Sequence, residues 1–67
     1  MIGLVKWYSG TKGYGFIAPE NGGNDVFVHV TDVRKSGLQD LGEGQRVSFE
    51  LANAKNGKSC ATRLSVL

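Results

Sequence analysis

The chain has few of the devices that usually hold a very small protein together. Its one cysteine, Cys60, can form no internal disulfide and excludes the common multi-cysteine zinc sites. No apolar run approaches membrane-spanning length, and the opening MIGLVKWYSG lacks the apolar stretch of a signal peptide. A soluble, cytoplasmic protein is therefore expected, in a reducing compartment where an unpaired thiol is ordinary. There is no repeat, no low-complexity tract and no segment long enough for a standard helix. Proline is nearly absent too, with Pro19 alone against ten glycines. At 67 residues the chain has room for one domain, residues 1–67. A domain this small buries only about 60% of its unfolded surface and has roughly 3–5 kcal/mol of stability to draw on.

What is present is a succession of short apolar segments separated by glycine-rich turns, which reads as all-β. Strands are expected at Ile2–Tyr8, Tyr14–Ala18, Val26–Val30, Gln45–Leu51 and Ser59–Leu67. Ser9–Gly13 closes the first strand, Pro19 ends the second, and Asn56-Gly57 separates the fourth from the fifth. Between the third and fourth, Thr31–Gly37 reads as one helical turn, with Thr31 as N-cap and Gly37 as stop. Five strands in so few residues cannot form two large sheets, and an open sheet would leave its edges unpaired. A small, partly open five-stranded antiparallel barrel of the OB type solves both problems. Alternation agrees. Val26, Val28 and Val30 share one face opposite Phe27 and His29, and Val47, Phe49 and Leu51 share one opposite Ser48 and Glu50.

The net charge of +2 says little by itself, but its distribution says more. No acidic residue precedes Glu20, so Lys6 and Lys12 stand unopposed in the segment that holds Trp7, Tyr8, Tyr14 and Phe16. Cations for phosphates interleaved with rings for base faces are what a single-strand binder needs. Strand parity points Tyr14 and Phe16 one way and Ile17 the other, and leaves Phe27 and His29 outside if the valines fill the barrel. Leaving large side chains out of a marginal core forfeits about 1.5–3 kcal/mol each. A covering helix would remove that cost, and the chain has none to offer. Gly13 and Gly15 are read as leaving gaps between rings where bases enter. Trp7 is less settled. It shares parity with Val5, so plain alternation buries it, whereas a bulge near the strand's end turns it outward.

Lys12-Gly13-Tyr14-Gly15-Phe16-Ile17 and Val26-Phe27-Val28-His29 resemble the two ribonucleoprotein motifs of bacterial cold-shock domains. Lys6-Trp7, Gly22-Gly23, Asp25 and the run Glu43 to Glu50 are similar to that family's pattern as well, so the resemblance runs nearly end to end. It implies a five-stranded OB barrel that binds single-stranded RNA and DNA, acts as an RNA chaperone and relieves transcriptional or translational blocks in the cold. Such proteins are typically monomeric, need no cofactor and catalyse no reaction. The resemblance assigns stacking to Trp7, Tyr14, Phe16, Phe27 and His29, and polar or phosphate contacts to Lys6, Lys12, Ser9 and Asp25. The chain departs from the pattern at Tyr8, where phenylalanine is usual, and at Ser9, where asparagine is common. It departs again at Val30 and Leu38, which are often aromatic. A shorter strong footprint, or weaker binding, follows if those two positions offer only apolar contact. Tyr8, Ser9, Asp25, Val30 and Leu38 are thus secondary contacts, and the Lys55–Ser59 hairpin lacks the usual Gly-Pro.

Competing readings fail on context. Gly13–Ala18 spells the dinucleotide fingerprint GxGxxA, but Pro19 and the Asn21-Gly22-Gly23 loop deny the helix that must follow it. The RNA-recognition fold needs helices that this chain lacks. His29 has no second histidine, cysteine cluster or serine nucleophile beside it, which leaves catalysis and metal binding without partners. Cys60 reads as a small, partly buried filler rather than a redox centre. Arg34, Lys35, Lys55, Lys58 and Arg63 read as solvated charges. The remaining rival is a protein-interaction module that presents the same surface to a partner.

Overall fold

The computed structural model describes residues 1–53 and 59–67. The expected hairpin turn at Asn56-Gly57 lies outside the described residues. The elements are β1 (Ile2–Ser9), β2 (Tyr14–Pro19), β3 (Val26–His29), α1 (Val30–Lys35), β4 (Arg46–Asn53) and β5 (Ser59–Val66). Five strands and one short helix in this order are what the turn signals led us to expect, with boundaries shifted by one or two residues.

The barrel is closed rather than partly open, in the order β1-β2-β3-β5-β4. Four seams are antiparallel. The fifth, between β3 and β5, is parallel and rests on the single pairing of Phe27 with Cys60. The expected five-stranded antiparallel barrel is thus present, with one parallel seam. With an odd number of strands around a ring, at least one neighbouring pair must run in parallel, and here the seam is made where β3 is only four residues long.

The core is Val5, Ile17, Val26, Val28, Val33, Leu41, Val47, Phe49, Ala61 and Leu64. It matches the alternation of β2, β3 and the first half of β4. Two positions depart from it. Val30 does not continue the inward row of β3. It opens α1 and is half-buried, its backbone N–H donating to the Gly13 carbonyl at 2.9 Å. Leu51 is 47% exposed although it shares parity with Val47 and Phe49. Parity sets a direction, but burial also needs neighbours on both sides: Leu51 faces the buried Ala61 of β5, while the β1–β4 pairing goes no further than Ser48.

Two bulges shape the barrel. In β1 the register passes from Val5 opposite Ile17 to Trp7 opposite Phe16, so Lys6 is the extra residue. The Val5 N–H and C=O are taken by the Gln45 carbonyl and the Gly44 N–H at 2.8 and 2.7 Å. The loop before β4 thereby holds the bulge. In β5, Ser65 opposes Ser48 but Thr62 opposes Glu50, and Arg63 adopts the left-handed φ of 51°. Extra residues of this kind bend the strand and raise its twist, which helps so small a sheet to close.

Helix α1 is capped two residues earlier than expected. Its N-cap is His29, not Thr31, and the His29 ring accepts the Thr31 N–H. The reason is that β3 stops at His29, so Thr31 already lies within the first turn. Gly37 ends the helix as expected. At φ 83° it donates to the Arg34 carbonyl at 3.0 Å, while the Leu38 N–H reaches the Val33 carbonyl at 3.1 Å. These are the paired bonds of a Schellman stop.

Candidate nucleic-acid interface

The outer face of β1, β2 and β3 carries a continuous set of rings. Phe16 pairs across the ladder with Phe27, Tyr14 with His29 and Trp7 with Phe16. The Lys6 bulge is what admits Trp7. Without the extra residue, Trp7 would follow Val5 inward. With it, the indole meets Tyr14 edge-on, with ring centroids 5.3 Å apart at 65°. Tyr14 and Phe27 stack at 5.7 Å and 22°. Phe16 stands edge-on to both of them, at 6.1 and 5.8 Å. His29 continues the row 6.3 Å from Phe27. Contacts of this kind are worth about 0.5–1.5 kcal/mol each beyond buried area. They hold each ring upright and leave Trp7, Tyr14, Phe16 and Phe27 half-buried by one another rather than fully exposed. Among the described residues the one helix does not lie on this face: α1 packs on β5 and on β3.

The cations at its border differ from each other. The Lys12 Nζ sits 5.7 Å from the centroid of the Trp7 ring, an exposed cation–π contact worth roughly 0.5–1 kcal/mol. Lys6 is engaged, with its Nζ 2.9 Å from Asp25 Oδ2. Such an exposed pair contributes little to stability, but it ties the bulge to the β2–β3 loop and balances one charge against another. The second ion pair near this end of the barrel is bidentate, from the Arg46 guanidinium to the Glu20 carboxylate. Hydrogen bonding from Arg46, the largest cause, holds the Glu20 carboxyl below its ordinary range.

His29 has two tasks at once. Its Nδ1 accepts the Thr31 N–H at 3.1 Å and lies 2.9 Å from Thr31 Oγ1. An Nδ1 that accepts leaves the proton of the neutral ring on Nε2. The ring plane is thus set by the start of α1, and its remaining surface is exposed beside Phe27.

The secondary candidates fall elsewhere. Tyr8 packs against the core instead of joining the rings, and its hydroxyl is buried with no hydrogen-bond partner among the described residues. That burial, and after it the charge of Asp40, pushes the phenol above its ordinary range. Ser9 builds the β1–β2 turn. Its Oγ accepts the Lys12 N–H at 3.2 Å and its carbonyl accepts the Gly13 N–H at 2.8 Å. Leu38 packs against the core, and Val30 abuts the turn at Gly13. The glycines also need a different account from the one that sequence suggested. A Cβ on Gly15 would lie 2.4 Å from the Trp7 carbonyl oxygen and 2.8 Å from Tyr8 Cα. Gly15 is buried on the inner side, where β1 crosses close above it, and it opens no gap between the rings. Gly13 supplies the left-handed φ of 86° that the turn requires.

Comparison with known proteins agrees with this geometry. The family model described as the "'Cold-shock' DNA-binding domain" matches residues 1–67. The chain is similar to the cold shock protein CspV of Vibrio cholerae, at 53% identity over 57 residues covering 85% of this chain and 81% of the relative. It is similar to the cold shock-like protein CspE of Escherichia coli, at 47% identity over 64 residues covering 96% and 93%. A probable cold shock protein of Sinorhizobium fredii is 49% identical over 63 residues, covering 92% and 91%. Among the described residues, no group of three or more His, Cys, Asp or Glu side chains could hold a metal ion, and no helix is long and apolar enough to cross a membrane.

Proposed function

Because this chain belongs to the cold-shock domain family, we propose that its ring face binds single-stranded RNA and DNA and that the protein acts as a nucleic-acid chaperone. The observation that carries this reading is the uncovered row Trp7, Tyr14, Phe16, Phe27 and His29, bordered by Lys12 and Lys6. Bases stack on these rings at about 1–3 kcal/mol each, and every base has a π face, so binding tolerates sequence. Lys12 and Lys6 neutralise phosphates, Lys6 in exchange for its Asp25 partner. Ser9 and Asp25 add polar contacts at the edge. Tyr8, Val30 and Leu38 support the platform from behind or at its end.

No chemical step is involved. A duplex hides its base faces in its own stack, so the ring face engages only strands that have opened. Binding the open form alone shifts a hairpin's equilibrium toward it by mass action. Melting of this kind modulates transcription and translation, most strongly in the cold, where RNA structure is most stable. The protein works in this reading as a cytoplasmic monomer. Phosphate contacts are few, so affinity falls only gently with salt, by about 0.7 log units per contact per decade for single strands.

The test is a titration with short oligothymidine at low salt, followed by quenching of the fluorescence of Trp7, the one tryptophan. Saturable quenching that a duplex of the same length does not compete supports the reading. Absence of binding at low salt sinks it, and binding of a protein partner undisturbed by excess single strands would assign the face to protein recognition.

A further inference from the structure

The row of rings does not stop at Phe27. Phe16 and Phe27 also line a groove of about 530 Å³ that leads around the end of the barrel, between the β2–β3 loop and the end of β4. Its far wall is apolar, made by Met1 and Leu51. These are two of the exposed large apolar side chains, at 46% and 47%. Its near wall includes Asn21 and Asn24. Barrel mouths are recurrent ligand sites, and an apolar cleft of roughly 300–1,000 Å³ with a few convergent polar groups is their usual form.

The chemistry of the lining selects the occupant. Among the described residues the one charged side chain in the groove is Asp25, an anion whose Oδ2 already holds Lys6. A phosphate would meet that carboxylate there, and the cation of the lining, the Met1 ammonium, is already engaged with the Phe49 carbonyl at 2.7 Å. A flat, neutral group with an apolar face and a hydrogen-bonding edge suits it better, because amides pair with base edges and leucine and methionine pack on base faces. We infer that the Leu51 groove is an additional base-binding subsite, which accepts the nucleobase of the nucleotide that runs off the Phe16–Phe27 end of the ring face. This inference rests on the single-strand reading above. It gives the chain an apolar platform at this end, where Val30 and Leu38 thin the platform elsewhere. It also accounts for an exposed leucine at a position whose parity with Val47 and Phe49 would otherwise bury it.

The experiment compares wild type with Leu51→Asn, using oligothymidines of three to eight nucleotides. Wild-type affinity is expected to rise with length up to a limit, and the last step to it is about 5–150-fold, the equivalent of one stacked base. Leu51→Asn loses that last step and binds the shorter oligonucleotides as wild type does. At the limiting length, an abasic sugar at one terminus, each terminus tested in turn, causes the same loss in wild type and no further loss in the variant. Asn24→Ala provides a second variant on the opposite wall, and thermal melting shows that each variant is folded. Equal weakening at every length, or at none, overturns the inference, as does full affinity for the abasic oligonucleotide. A concentration-dependent dimer that disappears in Leu51→Asn overturns it as well and assigns the groove to a second copy. Failure of wild type to bind any oligonucleotide is a separate outcome, which removes the single-strand reading itself.

Discussion

The His29 ring accepts the Thr31 N–H through Nδ1 at 3.1 Å, so the side chain that ends the row of rings is also the N-cap of α1. Two properties therefore depend on one residue and can be separated. His29→Ala is expected to lose about 1 kcal/mol of stability with the cap, a fall of roughly 4–8 °C in Tm for a domain of this size, and to weaken oligonucleotide binding. His29→Asn keeps a capping oxygen and should recover most of the melting temperature without recovering the binding. Melting curves and fluorescence titrations on both variants decide the matter. An asparagine variant that melts like the alanine variant would show that the cap is not what His29 contributes to the fold.

Phe16 and Phe27 face each other across the β2–β3 ladder with ring centroids 5.8 Å apart. Neither belongs to the buried core. Phe16→Ala and Phe27→Ala are each expected to cost about 1–3 kcal/mol of single-strand binding while the fold survives. Because the rings touch, the double variant should depart from the sum of the two, as contacting residues do. Calorimetric titration of the two single variants and the double one measures this. Strict additivity would mean that each ring works alone.

The Tyr8 hydroxyl is buried without a partner among the described residues. An unsatisfied buried hydroxyl costs roughly 1–3 kcal/mol, and removing it while keeping the ring leaves the packing intact. Tyr8→Phe is therefore expected to raise the denaturation midpoint and to leave oligonucleotide affinity unchanged. A lower midpoint would mean that the hydroxyl is bonded in solution, and a loss of affinity would put Tyr8 on the binding face.

Arg46 holds Glu20 in its charged form, with the carboxyl pKa below its ordinary value. A lowered folded-state pKa contributes stability above the unfolded pKa and loses it as pH falls through the folded one. Wild type should therefore be more stable than Glu20→Gln at neutral pH, and the difference should close as the solution is acidified below the ordinary carboxylate range. Both groups are exposed, so the effect is small and shrinks with salt. Denaturant melts of the two proteins across acid pH test the sign. A gap that widens in acid contradicts it.

Much of the barrel could be read from the chain. Ile17, Val26, Val28, Val47 and Phe49 followed strand alternation into the core, and glycine turns marked the element ends closely. The outward parity of Tyr14, Phe16, Phe27 and His29 was legible for the same reason, because side-chain direction in a strand has period two and needs no knowledge of its neighbours. Leu51 shows where that logic ends. It shares parity with Val47 and Phe49, but parity does not say whether a strand flanks the position on both sides, and β1 pairs with β4 only as far as Ser48. Gly15 shows a related limit: its need to be glycine comes from the β1 backbone at Trp7 and Tyr8, which lies on another strand and comes next to it only in space.

What the sequence determined by itself was local: five short strands, one capped turn of helix, and which rings point away from the core. Tertiary structure decided how those rings meet. Alternation left Trp7 open to either face, and the Lys6 bulge, held by Gly44 and Gln45 from a distant loop, turned it toward Tyr14. The inward packing of Tyr8 and the parallel closure through Phe27 and Cys60 are decisions of the same kind. Each depends on contacts between residues far apart in the chain, which become available only once the barrel has closed.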